Sequence, residues 1–343
     1  MTKVLIYGGT GSLGRALIKR FCVRDDIEEV YAYSRDEAKH WTLRNELSSE
    51  FPSHKLKFIV GDIRDKKRVT NAIEKSGADA IIIAAALKQV DTCELSPRES
   101  IMTNLIGTQN VIESVSEIGR TDRTKRTVLF ISTDKACSPV NVYGMCKAIS
   151  ERIVTSMAND SDPNVRYVGV RYGNVLESRG SIIPLFTYQG TSESNTHLTV
   201  THPDMTRFVM TLDDSVDLIQ KAFDNATSGD IWIPKLPAMK IGDLAEIFSE
   251  IHKKPIKIVG LRPGEKMHEA LINESESIRT LSVDNHYVIK PAYSTGVGEQ
   301  FTYTSADDVM SKQQLYNHLC NLGIFSRPLS SFHGRSIEEI VTK

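Results

Sequence analysis

Val4-Leu5-Ile6-Tyr7-Gly8-Gly9-Thr10-Gly11-Ser12-Leu13-Gly14 begins with four apolar residues and ends with glycines spaced three apart, at 8, 11 and 14. Val4 to Tyr7 reads as a buried strand, and Ser12 to about Phe21 reads as a helix. Between them glycine meets three needs: a tight turn, close approach of backbone to a ligand, and close packing of helix on strand. The helix N-terminus adds unpaired N–H groups and the positive end of a dipole, which suit a pyrophosphate. A glycine motif alone is weak. Set between a strand and the helix that follows it, this one specifies a dinucleotide site, with Gly8, Thr10, Gly11, Ser12, Leu13 and Gly14 lining it.

The same alternation continues outward. Val30–Tyr33, Leu56–Val60, Ala80–Ile83, Thr127–Ile131 and Tyr167–Val170 read as further strands with helical stretches between them. Continuous apolar runs such as Ile81 to Ala86 predict strands covered on both faces, hence a parallel sheet. The fold class is α/β, a Rossmann-type doubly wound parallel sheet with a smaller, partly interleaved substrate-binding lobe. Residues 1–173 form the cofactor domain, joined by part of 205–232, and residues 174–343 form the lobe and a C-terminal tail. In the second half Asp213 to Phe223 reads as a helix, and Asp243 is a plausible N-cap for another. From about Asp284 to Ser305 periodicity is weak, and the segment reads as an arm or loop.

Composition narrows the function. The chain has 343 residues, 40% hydrophobic and 25% charged, with a formal net charge of −1. That balance gives no electrostatic reason to expect nucleic acid or an anionic membrane as partner. Five scattered cysteines show neither CxxC pairs nor metal-ligand spacing, which reads as a reduced compartment and no metal. Met1-Thr2-Lys3 runs straight into the first strand, too short for a signal peptide, and no apolar stretch reaches spanning length. The expected location is cytoplasmic.

Two strand ends describe the cofactor further. Dinucleotide sites for NAD usually close the second strand with an acid for the ribose 2′-hydroxyl. Here the strand closes on Tyr33-Ser34-Arg35, and a guanidinium suits a 2′-phosphate. NADP is therefore expected, with ribose binding by Asp36 the alternative. After the third strand, Asp62 is placed to take the adenine amino group and Ile63 to cover the ring.

The fifth strand runs out into Ser132-Thr133-Asp134-Lys135, and Tyr143 and Lys147 follow four residues apart on one helical face. A free tyrosine, with a pKa of about 10, is a poor base at neutral pH. A neighbouring ammonium favours the phenolate. Each element alone is ordinary; together, behind the glycine turn, they point to redox chemistry at a carbinol.

Gly8 to Gly14, Ser132-Thr133 and Tyr143-Lys147 resemble the extended short-chain dehydrogenases/reductases, most of which modify nucleotide-linked sugars. Ala84-Ala85-Ala86-Leu87-Lys88-Gln89-Val90, Ser132 to Cys137, Arg171-Tyr172-Gly173-Asn174-Val175, Met205 to Phe208 and Arg262-Pro263-Gly264-Glu265-Lys266 are similar to one subfamily. These are the inverting, C5-epimerising UDP-N-acetylglucosamine 4,6-dehydratases of polysaccharide and flagellin-glycan synthesis. The resemblance implies C4 oxidation, water elimination across C5 and C6, and hydride return to C6, yielding UDP-2-acetamido-2,6-dideoxy-β-L-arabino-hexos-4-ulose. It casts Thr133, Asp134, Lys135, Tyr143 and Lys147 as catalytic, with Tyr143 the base at O4, Lys135 the base at C5 and Asp134 the acid at O6. A lysine base asks for a pKa well below about 10.4. Ala84, Ala85, Ala86 and Lys88 join the cofactor site, and Lys88, Asn174, Arg207, Arg262 and Glu265 the UDP-sugar site. Asp91 and His202 depart from the subfamily pattern at the border of the sugar pocket. A homo-oligomer is expected by analogy. The alternatives are a UDP-N-acetylhexosamine 4-epimerase, which has no use for the Asp134-Lys135 pair, and a non-catalytic NADP-binding scaffold.

Overall fold

The computed structural model describes residues 1–160, 163–176, 181–294 and 298–327; the parts of the expected lobe and tail at 177–180, 295–297 and 328–343 lie outside the described residues. Strand and helix alternate from the start: β1 (Thr2–Tyr7), α1 (Ser12–Cys22), β2 (Ile27–Ser34), α2 (Glu37–Leu47), β3 (Leu56–Val60), α3 (Lys66–Ser76) and β4 (Ala80–Ile83). α4 (Val90–Leu95) and α5 (Pro97–Ser100) then lead through a π-helical turn, Ile101–Ile106, into α6 (Gly107–Asp122). β5 (Arg126–Ile131), α7 (Val142–Asp160) and β6 (Val165–Val170) complete this half.

The second half runs β7 (Asn174–Val175), α8 (Ile182–Thr191), β8 (Leu198–Val200), β9 (Thr206–Met210), α9 (Leu212–Asn225) and β10 (Ile231–Pro234). β11 (Ala238–Lys240), α10 (Ile241–His252), β12 (Ile256–Ile258), β13 (Ala270–Ile272) and α11 (Glu274–Ser277) follow. β14 (Thr280–Val283), β15 (His286–Ile289), β16 (Tyr303–Thr304) and α12 (Lys312–Asn321) come last.

The main sheet has the order β14-β15-β10-β6-β5-β4-β1-β2-β3. All neighbours from β10 to β3 pair in parallel, whereas β15 and β14 are antiparallel additions at the edge. This is the α/β doubly wound sheet the apolar runs predict. In β1, Val4 and Ile6 enter the core on one face while Leu5 and Tyr7 enter the core on the other. Each such side chain contributes roughly 1.5–3 kcal/mol by leaving water. Strand order reverses between β1 and β4, which opens a crevice at their carboxyl ends, the usual ligand position in such sheets.

A third core lies beside the sheet, where Ile183 and Phe186 of α8, Leu244 and Phe248 of α10 and Leu315 of α12 meet. The short sheet β11-β9-β7 belongs to this region.

Three local expectations are corrected. α9 begins at Leu212 behind a reciprocal cap in which Thr211 and Asp214 satisfy each other's N–H groups, so Asp213 is a first-turn residue. α10 starts at Ile241, directly after β11, and Asp243 lies in its first turn rather than capping it. There its charge still complements the helix dipole. The supposed arm after Asp284 contains β15, paired with β10 and β14. Asp284, at φ 49°, takes the left-handed conformation at the turn between β14 and β15, which Asp tolerates.

Candidate active site

The glycine turn sits at the crevice between β1 and β4. Gly8 has φ 91°, and a Cβ there would lie 2.7 Å from the Ala85 nitrogen. A Cβ on Gly14 would lie 2.3 Å from the Gly8 carbonyl oxygen, so only glycine lets α1 rest on the turn. Gly11 N–H donates to the Gly8 carbonyl at 3.0 Å and closes the loop. Gly11 is the N-cap of α1, and no side chain caps it. The first-turn N–H groups therefore suit an anion, and this cradle fits a dinucleotide pyrophosphate. Across from it, Ala84 N–H donates to Tyr7 at 2.9 Å, and the Asn104 side chain both accepts from and donates to the Leu87 backbone at 2.9 Å. Asn104, which pins the Leu87 backbone just after Ala84–Ala86, was not singled out from sequence; it lies in the π-helical turn, where periodicity gives no cue.

At the end of β2 the Thr10 hydroxyl donates to Ser34 Oγ at 3.0 Å, and Ser34 also pairs with His40, a second residue the sequence reading missed. Asp36, the alternative ribose ligand, accepts from Lys39 N–H at 3.1 Å and caps α2. Arg35 is half exposed and faces Asp62 at 3.8 Å. Asp62 is bound more closely by Arg64, at 2.7 Å. Burial pushes the Asp62 pKa up, but Arg64 and then Arg35 outweigh it and hold the carboxyl below its ordinary value. Ile63 is buried against Gly107, where a Cβ would come within 2.7 Å of Ile63 Cγ2.

Thr133, Asp134, Lys135, Tyr143 and Lys147 come together beyond the end of β5. Thr133 caps a 3₁₀ turn formed by Asp134–Ala136, and Asp134 N–H is anchored on the Tyr172 carbonyl at 2.9 Å. The Asp134 side chain is fully buried. Its Oδ1 accepts from the Thr133 hydroxyl at 2.8 Å and from Lys135 Nζ at 3.0 Å. Its Oδ2 has no hydrogen-bond partner among the described residues. Gly144 lets α7 touch this turn, since a Cβ there would lie 2.2 Å from the Lys135 carbonyl oxygen. Lys147 Nζ donates to the Ile131 carbonyl at 2.7 Å and lies 4.4 Å from the centre of the Phe130 ring.

The charges differ from those expected. Burial pulls the Lys147 pKa down to about 8. Burial also acts downward on Lys135, but the Asp134 and Glu269 carboxylates override it and hold this ammonium above the ordinary lysine range. The lowered lysine is thus Lys147, not Lys135. Burial pushes Tyr143 up to about 12; Lys135, rather than Lys147, is the ammonium that opposes the rise.

The smaller lobe contributes unevenly. Asn174 begins β7, and its Oδ1 is buried without a hydrogen-bond partner among the described residues. Arg207, on β9, donates to the Thr206 carbonyl at 2.7 Å and the Met267 carbonyl at 3.2 Å. Arg262 and Lys88 are exposed, and the Arg262 N–H is taken by Glu265 Oε2 at 3.1 Å. Lys266 anchors its loop by donating to the Cys137 carbonyl at 2.7 Å. Glu269, missed from sequence, brings Oε1 to 3.6 Å from Lys135 Nζ. The only sequence cue to it is a carboxylate three residues past Lys266. Among the described residues no His, Cys, Asp and Glu cluster could hold a metal ion, and no helix is long and apolar enough to cross a membrane.

Residues 4–291 match the family described as "Polysaccharide biosynthesis protein". A protein named UDP-glucose 4-epimerase from Rickettsia bellii is 42% identical over 293 residues, 83% of this chain and 82% of its own length. The Rickettsia canadensis protein of the same name is 41% identical over 292 residues, with the same coverage of both chains. The crystal structure of Pen from Bacillus thuringiensis superimposes with a TM-score of 0.85 at 32% identity, covering 94% of this chain and 98% of that one. DesIV from Streptomyces venezuelae, a dTDP-glucose 4,6-dehydratase solved with NAD and TYD bound, gives a TM-score of 0.65 at 20% identity, covering 77% and 86%. That last likeness is one of fold.

Proposed function

The chain belongs to the polysaccharide biosynthesis protein family, and from that premise we propose that it is an NADP-dependent UDP-N-acetylglucosamine 4,6-dehydratase that inverts C5. The observation that carries this reading is the buried, hydrogen-bonded Asp134–Lys135 pair, 3.0 Å apart beside Thr133 and Tyr143. An enzyme that only oxidises and re-reduces C4 has no use for a second acid and base. Ser34 and the half-exposed Arg35, with Asp36 committed to capping α2, support the 2′-phosphate of NADP.

The residues divide the work by atom. Tyr143, once ionised, takes the proton of the sugar 4-hydroxyl as a phenolate, assisted by Thr133; the positive charge of Lys135, joined by the positive nicotinamide ring of a bound cofactor, would offset the burial that raises its pKa. NADP, which the Gly8–Gly14 turn, Ser34 and Arg35 would hold, would supply the hydride chemistry needed at C4 and C6. The 4-ketone makes the C5 hydrogen acidic. Lys135 and Asp134 start as ammonium and carboxylate, and one proton moved across their hydrogen bond makes them amine and acid together. Exclusion of water by a bound sugar favours that neutral pair, since two charges cost more in a dry site. The amine then removes the C5 proton, and the acid gives its proton to O6, which leaves as water. The proton that Tyr143 took from O4, delivered to the face of C5 opposite Lys135, completes the balance and inverts that centre. Asn174, Arg207 and Arg262 are proposed to hold the diphosphate and uridine, and Lys88 to meet the sugar or its acetamido group, with Glu265 in the same UDP-sugar site. Exposed Met145 and Ile149, one turn apart on α7, support pairing of this helix in a homo-oligomer.

A second reading, a UDP-sugar 4-epimerase, is favoured by the name of the Rickettsia relatives and uses only Tyr143, Lys147 and Thr133. Incubation with UDP-N-acetylglucosamine and NADP separates the two by product mass. The dehydratase gives a product lighter by one water; an isomer of unchanged mass would leave the epimerase reading standing.

A further inference from the structure

Lys135 is gripped by two carboxylates from distant parts of the chain. Asp134 is its sequence neighbour on the 3₁₀ turn, whereas Glu269 lies just ahead of β13. Several contacts fasten the Glu269 segment to the catalytic turn. Lys266 Nζ donates to the Cys137 carbonyl at 2.7 Å, and Asn141 Nδ2 donates to the Gly264 carbonyl at 2.8 Å. Gly264, at φ 79°, brings its backbone close to Asn141, whose Cβ would lie 2.9 Å from an added Cβ. The backbone of Glu269 is tied at both ends to Ser305, which donates to its carbonyl at 2.8 Å and accepts from its N–H at 3.0 Å. The result is a carboxylate only 3% exposed, with Oε1 3.6 Å from Lys135 Nζ. Its Oε2 lies 3.8 Å from Lys266 Nζ and has no hydrogen-bond partner among the described residues. A buried carboxylate costs free energy unless cations face it, and here both facing cations are lysines.

We propose that Glu269 is a positioning residue for the C5 base, the carboxylate by which the smaller lobe holds Lys135 Nζ beside Asp134. The proposal rests on the dehydratase reading of Lys135. Charges facing Lys135 come from each packed element: Asp134 on its own turn, Glu269 ahead of β13, Arg207 on β9 and, when ionised, Tyr143 on α7. Asp134 and Glu269 favour the ammonium, and Arg207 opposes it. Glu269→Gln keeps the shape and removes one of the two favouring charges. The amine then becomes available at lower pH, while the geometry that aims it is loosened.

The test follows C5 deuterium incorporation and cofactor reduction in single turnovers of the holoenzyme with UDP-N-acetylglucosamine across pH, for wild type, Glu269→Gln and Glu269→Asp. The ratio of elimination to cofactor reduction is the readout. In Glu269→Gln its acid limb is expected to move down by about one pH unit, the lower end for an opposite charge at this range. Glu269→Asp, which keeps the charge, is expected to restore most of the wild-type position. An unmoved limb in Glu269→Gln, or equal loss of both half-reactions in both variants, overturns the proposal by leaving Glu269 a structural role only. Wild type that reduces cofactor but never loses water overturns the dehydratase reading itself, a distinct result.

Discussion

Replacing Asp134 by Asn removes one proton-carrying oxygen and changes little else. The side chain is fully buried and accepts from Thr133 at 2.8 Å and Lys135 at 3.0 Å, and an amide oxygen keeps both acceptor contacts. Folding loses the charge-assisted part of one hydrogen bond, about 1–2 kcal/mol, and the amide Nδ2 takes the place of Oδ2, which has no partner among the described residues, while Glu269 still faces Lys135 at 3.6 Å. Catalysis loses the acid at O6. General acid help is typically worth about 100- to 10,000-fold, or roughly 3–5 kcal/mol of barrier at about 1.36 kcal/mol per tenfold. Oxidation at C4 uses Tyr143 and does not need that proton. Rapid-mixing absorbance of the reduced nicotinamide, with quenched product analysis, reads both steps. The Asn variant is expected to accumulate reduced cofactor and 4-keto sugar, with elimination slowed by at least about 100-fold. Elimination within about threefold of wild type would refute the assignment of Asp134 as the acid, for which the lower bound is about 100-fold.

Gly14→Ala places a methyl 2.3 Å from the Gly8 carbonyl oxygen; a loss of about 1–3 kcal/mol in denaturant unfolding, together with weaker cofactor binding by titration, is expected, and no change in either would mean that the turn yields freely. Lys147 sets a pH dependence of known sign. Its pKa falls from 10.5 to about 8 on folding, so between these values the unfolded chain binds more protons and stability rises with pH. The cofactor-free wild type should therefore gain up to about 3 kcal/mol relative to Lys147→Met between pH 8 and 10.5, and parallel pH profiles of unfolding would contradict this. Arg35→Ala is expected to weaken NADP by about 10- to 100-fold, the worth of a charged hydrogen bond, and to leave NAD nearly unchanged in the same fluorescence titration; equal losses for both would remove the 2′-phosphate role.

The legible parts of this protein are those whose physics is local. Val4–Tyr7 announces a doubly covered strand because every side chain in it is apolar, and Gly8 and Gly14 announce the turn because no other residue fits. Tyr143 and Lys147 are readable because helix geometry brings residues four apart together. What escaped the sequence depends on distant chain. Burial of Tyr143 raises its pKa against the expected fall, and the second carboxylate on Lys135 comes from Glu269, whose approach is set by the Lys266, Gly264 and Ser305 contacts. β15 was missed for another reason. Its four residues, His286–Ile289, are too short for a period-two signal; of its two partners β14 directly precedes it and is equally short, and β10 lies far back in the chain.

The central claim is that this site removes the C5 proton and returns one to the other face. Turnover of UDP-N-acetylglucosamine in D₂O, followed by proton NMR of the product, tests it most directly. The claim calls for a 6-deoxy-4-keto sugar carrying deuterium at C5, with the coupling pattern of inverted C5. A product that keeps its C6 hydroxymethyl signals and its C5 proton contradicts it.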